Sequence, residues 1–464
     1  MSKMRDPIHG DIHIPEWLEP LLLSYPLNRL RFIKQLGMKS YAGPFPGANH
    51  TRFSHCLGTM HLASFLCDSL YKNTKIKDLK GSVQEYKNTV QVAALVHDIG
   101  HGPFSHVMDE VLKEYMRRSH EDMTASIVQN VLGDDIRALR PPEGNVEPKD
   151  VSLIALGSHP EHSYLNDIVH SEIDVDRMDY LPRDSYHAGI EYRFGPASLI
   201  NNMKIIRVPA ISPAEIGELR EIIRNAKTRK EFKDFLARAE NVYEDHTCVS
   251  GEEGVVLCEL LLIIRRTMYK SVYYESKSRV AEKMVYKAIL SMLEDKLLQK
   301  KDLTDPHRFI ELDDIELFGR MQEAKGFPAR IVNFLKRGIT YKSIELGTIE
   351  EFDTLKEAVV RKRYGDIRRM EKELAGRWNA SPQEVIIDLI QIKAFEEEKV
   401  FVEIEPEKLT FLEKISKVAQ SLISPFELEG KVFIYVDTDK IKTEEGRILE
   451  DAQTILGGGK NVPK

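Results

Sequence analysis

Two imidazoles and two carboxylates, supplied by three separated stretches, are the side chains of this 464-residue sequence best suited to chemistry: His55, the adjacent pair His97-Asp98, and Asp176. Together they can hold one divalent metal ion and leave coordination positions open. Such a mixed nitrogen and oxygen set suits a hard or borderline metal that activates water or grips a phosphate oxygen. It does not distinguish Mn, Mg, Fe, Zn or Ni. A His-Asp dipeptide alone would mean little, but here it begins HDIGHGPFSH, while His55 sits in RFSHCLG and Asp176 in DVDRMDYLPRD. Seven of the fifteen histidines fall between positions 50 and 120, a clustering that supports a site. The competing reading is a set of capping or buried hydrogen-bonded side chains. Asp174, on the other side of Val175, is the rival of Asp176 for the fourth position.

These residues need helices to hold them. Residues 15–37 and 53–72 read as helices joined by the Gly/Pro-punctuated GPFPGANH. A further helix is predicted over 86–99, with Val92, Leu95, Val96 and Ile99 on one stripe. Gly100, Gly102 and Pro103 end it and place His97 and Asp98 in its last turn. Neighbouring helical positions diverge by about 100°, so both reach one ion only at a seam between helices. That is the kind of site a helical bundle builds. Residues 141–150 read as a surface connection, and helical patterns resume over 151–187 and 213–300. EVIIDLIQIKA, KVFVEIEP and KVFIYVDTDKI then read as strands, with helical segments at 351–379 and 407–423. The expectation is a mainly α protein: a helical core over 1–300, then a smaller α+β region over 301–464. GGGK near the end lacks Walker spacing and reads as a tail.

Charged residues make up 30% and hydrophobic ones 42%, which describes an ordinary globular chain able to bury a large core. A net charge of −7 argues against a nucleic-acid coat protein without excluding a local basic cleft. The first residues, MSKMRDPIHG, lack the apolar core of a signal peptide, and the longest apolar run, near 260–264, is too short for a membrane span. Cys56, Cys67, Cys248 and Cys258 form no CxxC pair, so a reducing, cytoplasmic setting is expected. Cys56, Met60, Ala63, Cys67 and Leu70 recur at helical spacing, which reads as a buried face and not as a thiolate ligand.

The three chemical segments in this order, with DPIHGDI, RLRFIKQLG and FPGANHTRFSH, resemble the HD-domain deoxynucleoside triphosphate triphosphohydrolases. The likeness is to the branch holding the sterile-alpha-motif/HD-domain enzyme, here without a preceding sterile alpha motif. It covers the first two hundred residues or so well and the remainder loosely. The resemblance implies His55, His97, Asp98 and Asp176 as ligands of one divalent metal, and it favours Asp176 over Asp174. It implies His106, Asp109 and His120 as catalytic, and Asp109, three residues after His106, could set that imidazole's tautomer. Arg52, Arg177 and Tyr180 are implied as phosphate contacts, and Gln35, Leu36 and Asp184 as the sugar pocket. His101 either touches phosphate or caps the Gly-rich turn. The basic, aromatic stretch RRTMYKSVYYESKSR (265–279) either offers Lys270 and Arg279 to a triphosphate or forms a solvated helix face.

The activity so implied is hydrolysis of a deoxynucleoside triphosphate to deoxynucleoside and inorganic triphosphate, in a homo-oligomer (dimer or tetramer). Where nucleotide-activated members carry an activator-reading Asp and Gln, this chain has Leu23 and Asn28, although Arg31 remains. The resemblance therefore does not extend to guanine-nucleotide activation. Two other readings stay open: an HD-type nucleotidase or phosphodiesterase, possibly with two metals, acting on other nucleotides or nucleic acid; and a non-catalytic nucleotide sensor.

Overall fold

Two long helices, α1 (Arg52–Asn73) and α2 (Lys77–Val96), form the centre of the chain and pack along one another. The computed structural model describes residues 3–192, 194–209, 243–390, 400–405, 408–423 and 430–457. Along α1, Cys56, Met60, Ala63, Cys67 and Leu70 are all buried, and so are Phe53, Leu57, Leu62 and Leu66 on other faces. A helix covered on several sides can aim polar side chains inward only where partners receive them. Helix α2 starts earlier than the pattern predicted, because Leu79 and Val83 extend its apolar stripe through a polar first half. It also ends sooner. His97 is its C-cap, and His97–Gly100 form the following turn, so the HD pair lies just past the last helical turn.

A buried loop leads from there to α3 (His106–Val111), and α4 (His120–Asn130) follows behind a capping box between Ser119 and Asp122. The stretch predicted as helical over 151–187 is broken into Pro148–Ala155, Ser163–Val169 and α5 (Val175–Ala188). Asp174 caps α5 by accepting from the Arg177 amide at 2.7 Å, and Gly189 ends it at φ 72°. Helix α6 (Gly251–Met268), a π turn at Tyr269–Tyr273 and α7 (Ser276–Glu294) come next, and α8 (Asp314–Glu323) is among the helices that close the bundle.

The strands are marginal to the site. β1 (Lys3–Asp6) and β2 (Gly10–His13) form a hairpin. The helical prediction over 213–300 fails at its first described part: 213–242 lie outside the described residues, and β4 (Tyr243–Ser250) pairs antiparallel with β3 (Met203–Pro209) over seven residues. That run carries no 3.6-residue apolar stripe, so cross-strand pairing decides it. β5 (Lys342–Thr348), β6 (Val385–Leu389), β7 (Phe401–Glu405), β8 (Lys408–Phe411) and β9 (Lys431–Val436) complete two small sheets, ordered β3-β4-β7-β8 and β5-β9-β6. Of the segment EVIIDLIQIKA, residues 391–394 lie outside the described part. Residues 408–411 are strand where a helix was expected, and the helical part is Leu412–Ile415 and Lys417–Ile423, broken at Ser416. The helix expected over 351–379 is split at Lys362 (φ 52°), leaving Asp353–Val360 and α9 (Tyr364–Arg377).

One apolar cluster runs from Ile12 through the bundle to Tyr341 and on to Val400, Val402, Leu412 and Tyr435; a second, with Ile344, Leu374, Val385, Ile434 and Ile448, sits between the β5-β9-β6 sheet and its helices. The protein is mainly α with a smaller C-terminal region holding small sheets. Among the described residues, no helix is long and apolar enough to cross a membrane.

Candidate active site

The three separated stretches meet where the start of α1, the end of α2 and the first turn of α5 come together. His55 Nε2 lies 3.2 Å from His97 Nε2 and 3.0 Å from Asp176 Oδ1. Asp98 Oδ2 is 3.5 Å from His55 Nε2, and Asp176 Oδ1 is 3.6 Å from His97 Nε2. Asp174 takes no part: both its carboxylate oxygens are spent on the start of α5, accepting from Ser171 N at 2.8 Å and from Arg177 N.

The donor set fits a divalent ion. The other nitrogen of each ring is already a donor, His55 Nδ1 to Asp179 at 2.8 Å and His97 Nδ1 to the Ala94 carbonyl at 2.8 Å. The two Nε2 atoms therefore face one another at 3.2 Å, an arrangement satisfied by a proton on one of them or by a cation between them. His55, His97 and Asp98 offer ligand atoms that all lie within 4.8 Å of one another, and Asp176 Oδ1 stands 3.0 and 3.6 Å from the two Nε2 atoms, separations compatible with ligand atoms each about 2.1 Å from an ion. Burial lowers the His55 pKa, but its hydrogen bonds to Asp176 and Asp179 outweigh that and raise it to about 10. Burial likewise opposes ionisation of Asp98, yet Arg52, His97 and His101 hold its carboxyl well below the usual range. A field that draws a proton onto His55 draws a divalent cation in its place.

Behind this cluster stands a layer that the sequence pattern did not single out. Asp179, fully buried, accepts from His55, from His9 Nε2 at 2.6 Å, and from Arg183 Nε and Nη2 at 2.8 Å each; Arg183 Nη1 continues to Asp6 Oδ2 at 2.7 Å. Gly58 is what lets α1 approach so closely, because a Cβ there would fall onto Asp179 Oδ1 and the Arg183 guanidinium. The i,i+4 spacing of Asp179 and Arg183 within DRMDYLPRD was the available signal. The loop after α2 is clamped from the other side. Buried Arg29 donates to the carbonyls of Ile99 (2.7 Å), His101 (2.8 Å) and Leu312 (3.0 Å). Asp314 accepts from Phe104 N at 2.6 Å and Lys34 N at 3.0 Å. These bonds hold Phe104 and Ser105 at φ 58° and 52°, a backbone conformation that persists only where its surroundings enforce it.

A cavity of about 390 Å³ opens beside the cluster, and Gln35, Leu36, Arg52, Asp98, His101, His106, His120, Asp176, Tyr180 and Asp184 all line it. Tyr269, Tyr273, Tyr274 and Arg279 join it from the 265–279 stretch, which is a helix end, a π turn and a new helix, not one solvated face. Lys270 is not among the lining residues. Asp184 accepts from His50 Nε2 at 2.7 Å and from the Tyr273 hydroxyl at 2.8 Å, while Gln35 Oε1 is buried without a partner and free to accept from a ligand.

Several expectations need correction. Asp109 does not set the tautomer of His106. It accepts instead from the backbone and Nδ1 of His120, both at 2.9 Å, because the turn at Arg117 brings α4 back over α3. Arg177 does not face the cavity. Its guanidinium folds back onto Asp174, Ser171 and Glu172 at the helix start, where desolvated acids hold it. Arg52 does line the cavity, but it is already bonded to Asp98 and to Ser105 Oγ at 2.8 Å. His101 stacks on His120 with centroids 4.0 Å apart and places Nε2 3.4 Å from Asp98 Oδ1. His106 is exposed to cavity space; desolvation by the surrounding protein, then the Arg52 charge, lowers its pKa to about 4. At neutral pH it is a neutral imidazole in the resting protein. Leu23 is exposed and Asn28 bonds the local carbonyls of Leu22 and Ser24.

A bundle of this form with this cluster is that of a phosphohydrolase of the HD type. The chain belongs to the HD-domain phosphohydrolase family, with an HD domain matched over residues 52–184 and an HD-associated region over 236–455. An uncharacterized protein of Methanocaldococcus jannaschii is 28% identical over 473 residues, covering 98% of this chain and 84% of that one. The deoxynucleoside triphosphate triphosphohydrolase SAMHD1 of Homo sapiens is 30% identical over 266 residues, covering 50% of this chain and 42% of the human protein. This chain thus spans less than half the length of that named relative. Among solved structures, a hypothetical protein from Aquifex aeolicus has the same fold, with a TM-score of 0.65 at 24% identity over 98% of this chain and 99% of that one.

Proposed function

We propose that this phosphohydrolase cleaves deoxynucleoside triphosphates to deoxynucleoside and inorganic triphosphate. The observation that carries the reading is the open cavity beside the His55, His97, Asp98, Asp176 cluster, with the unpartnered Gln35 carbonyl oxygen on its wall. The named triphosphohydrolase relative supports the choice of substrate. In this reading the four residues hold one divalent metal, which when bound polarises a phosphoryl oxygen and acidifies water.

The chain's own residues do the rest. Arg52 keeps Asp98 ionised and presents positive charge to the phosphate chain. Gln35 and Asp184 hydrogen-bond the sugar, with Leu36 shaping its pocket, and Tyr180 contacts the phosphate chain. A polyanion beside His106 raises the imidazole pKa from its resting value, so that its ring gains a proton and delivers it to the departing 5′-oxygen. Asp109 fixes the orientation of His120 opposite. A homo-oligomer belongs to the same proposal.

The test is a product profile. Metal-loaded protein, Mn²⁺ or Mg²⁺, is given each of the four substrates, and intact triphosphate is the expected product. Monophosphate plus pyrophosphate would refute this cleavage. A two-metal nucleotidase or phosphodiesterase is favoured by one observation: Asp98, His101 and His120 form a second group whose ligand atoms lie within 4.8 Å of one another. A metal content near two ions per chain would select that reading.

A further inference from the structure

The structure assigns a second polyphosphate-binding site, outside the reaction cavity, to the cleft between the α3–α4 turn and the start of α9. It does not depend on which nucleotide the reaction cavity hydrolyses. The cleft holds about 840 Å³ and is lined by seven Lys or Arg side chains against three Asp or Glu, in a chain whose net charge is −7. Four of the seven already face acids, Lys113 with Asp109, Arg361 with Glu357, Arg363 with Asp366 and Arg368 with Glu114. A local excess of cations against an acidic background is the electrostatic footprint of an anion site.

The three acids are already engaged. Glu114 is paired with Arg368, Asp122 closes the Ser119 capping box, and Asp366 faces Arg369 at 3.2 Å. Arg117 and Lys362, by contrast, have no acidic partner among the described residues, and both are exposed. Both also hold left-handed backbone conformations, φ 54° and 52°, on opposite walls of the cleft. Glycine or asparagine adopts that conformation at least cost. Both positions follow a helix end, where left-handed backbone is common, and both cationic side chains line the same space. Tyr364 lines the cleft beside Lys362, an aromatic side chain of the kind on which a base can stack.

Compact polyphosphate suits this cleft better than a single phosphate, because cations on two walls can engage successive phosphoryl groups. Two sources share that chemistry, free inorganic polyphosphate and the phosphate chain of a nucleotide. The cleft shares Lys113, Glu114, Lys362, Tyr364 and Arg368 with an adjoining cavity of about 380 Å³, which in turn shares His106, Tyr274 and Arg279 with the reaction cavity.

The test is calorimetric titration of the full-length, metal-loaded protein with sodium tripolyphosphate and, separately, with ATP, at low salt. The double variant Arg117→Gly/Lys362→Gly should keep or raise the melting temperature, since glycine removes the strain. It should weaken one class of anion sites by more than about tenfold, the loss expected for removing charge-assisted contacts, and leave binding in the reaction cavity in place. Tighter binding of ATP than of tripolyphosphate would assign the nucleotide as the source, through Tyr364; the reverse order would assign the phosphate chain alone. Equal stoichiometry and affinity for both ligands in the wild type and in the folded variant would overturn the proposal. Arg117→Glu, which reverses charge without touching the α9 side, serves as the second variant under the same criterion.

Discussion

Asp179→Ala separates two jobs that one buried carboxylate performs. The side chain is fully buried and accepts four hydrogen bonds, one each from His55 and His9 and two from Arg183. Truncation leaves Arg183 with Asp6 alone and strands two guanidinium donors in the core. Breaking a buried ion pair in this way costs about 3–5 kcal/mol. The second effect is on the metal. Without Asp179 nothing holds the His55 proton on Nδ1, so Nε2 is no longer fixed as the free lone pair facing His97 and Asp176. Loss of the residue that orients a ligating histidine weakens metal affinity by about 10–100-fold, or about 1.4–2.8 kcal/mol. Asp179→Asn should split the two, because the amide oxygen still accepts from His55 while the charge opposite Arg183 is gone. The measurements are urea unfolding for stability and calorimetric titration with Mn²⁺ for affinity. A folded Asp179→Ala protein that binds Mn²⁺ within about twofold of wild type would refute the claim that Asp179 orients His55.

Chelation of the metal should abolish hydrolysis and Mn²⁺ should restore it; at a hundredfold excess over the dissociation constant, the ion should also stabilise the fold by about 2.7 kcal/mol in unfolding experiments. Gly58→Ala should destabilise by about 1–3 kcal/mol, read by urea unfolding, because the new methyl group meets Asp179 and Arg183; unchanged stability would show that α1 and α5 can part freely. All four cysteines are buried, and burial pushes Cys67 and Cys248 up to about 12. At pH 8 a thiol reagent should therefore label none of them at an appreciable rate until the protein is unfolded; rapid labelling of the native protein would contradict that packing.

Much of this protein was legible before folding is considered. The order RFSH, HDIGHGPFSH, DVDRMD carries the family, and the apolar spacing of Cys56, Met60, Ala63, Cys67 and Leu70 carries the central helix whose buried face the structure contains. Local chemistry also shows in short range: Gly100, Gly102 and Pro103 end α2, although the helix stops a few residues before the position expected. Other features belong to the tertiary structure alone. Asp174 and Asp176 are indistinguishable by spacing until one is seen capping α5 and the other facing His55. The choice of His120 over His106 as the partner of Asp109 depends on the return of the chain at Arg117. Arg177 turns from phosphate to its own helix start because a nearer carboxylate receives it.

The residues that hold the site in shape were the least visible, since their partners are remote: His55 and Asp179 are 124 positions apart, and Phe104 and Asp314 are 210 apart. Residue type and periodicity are properties of neighbours along the chain, so they can announce which groups are chemically competent and which faces are apolar. Which carboxylate receives which buried donor depends on how distant helices dock, because a buried donor must find its acceptor wherever packing brings one.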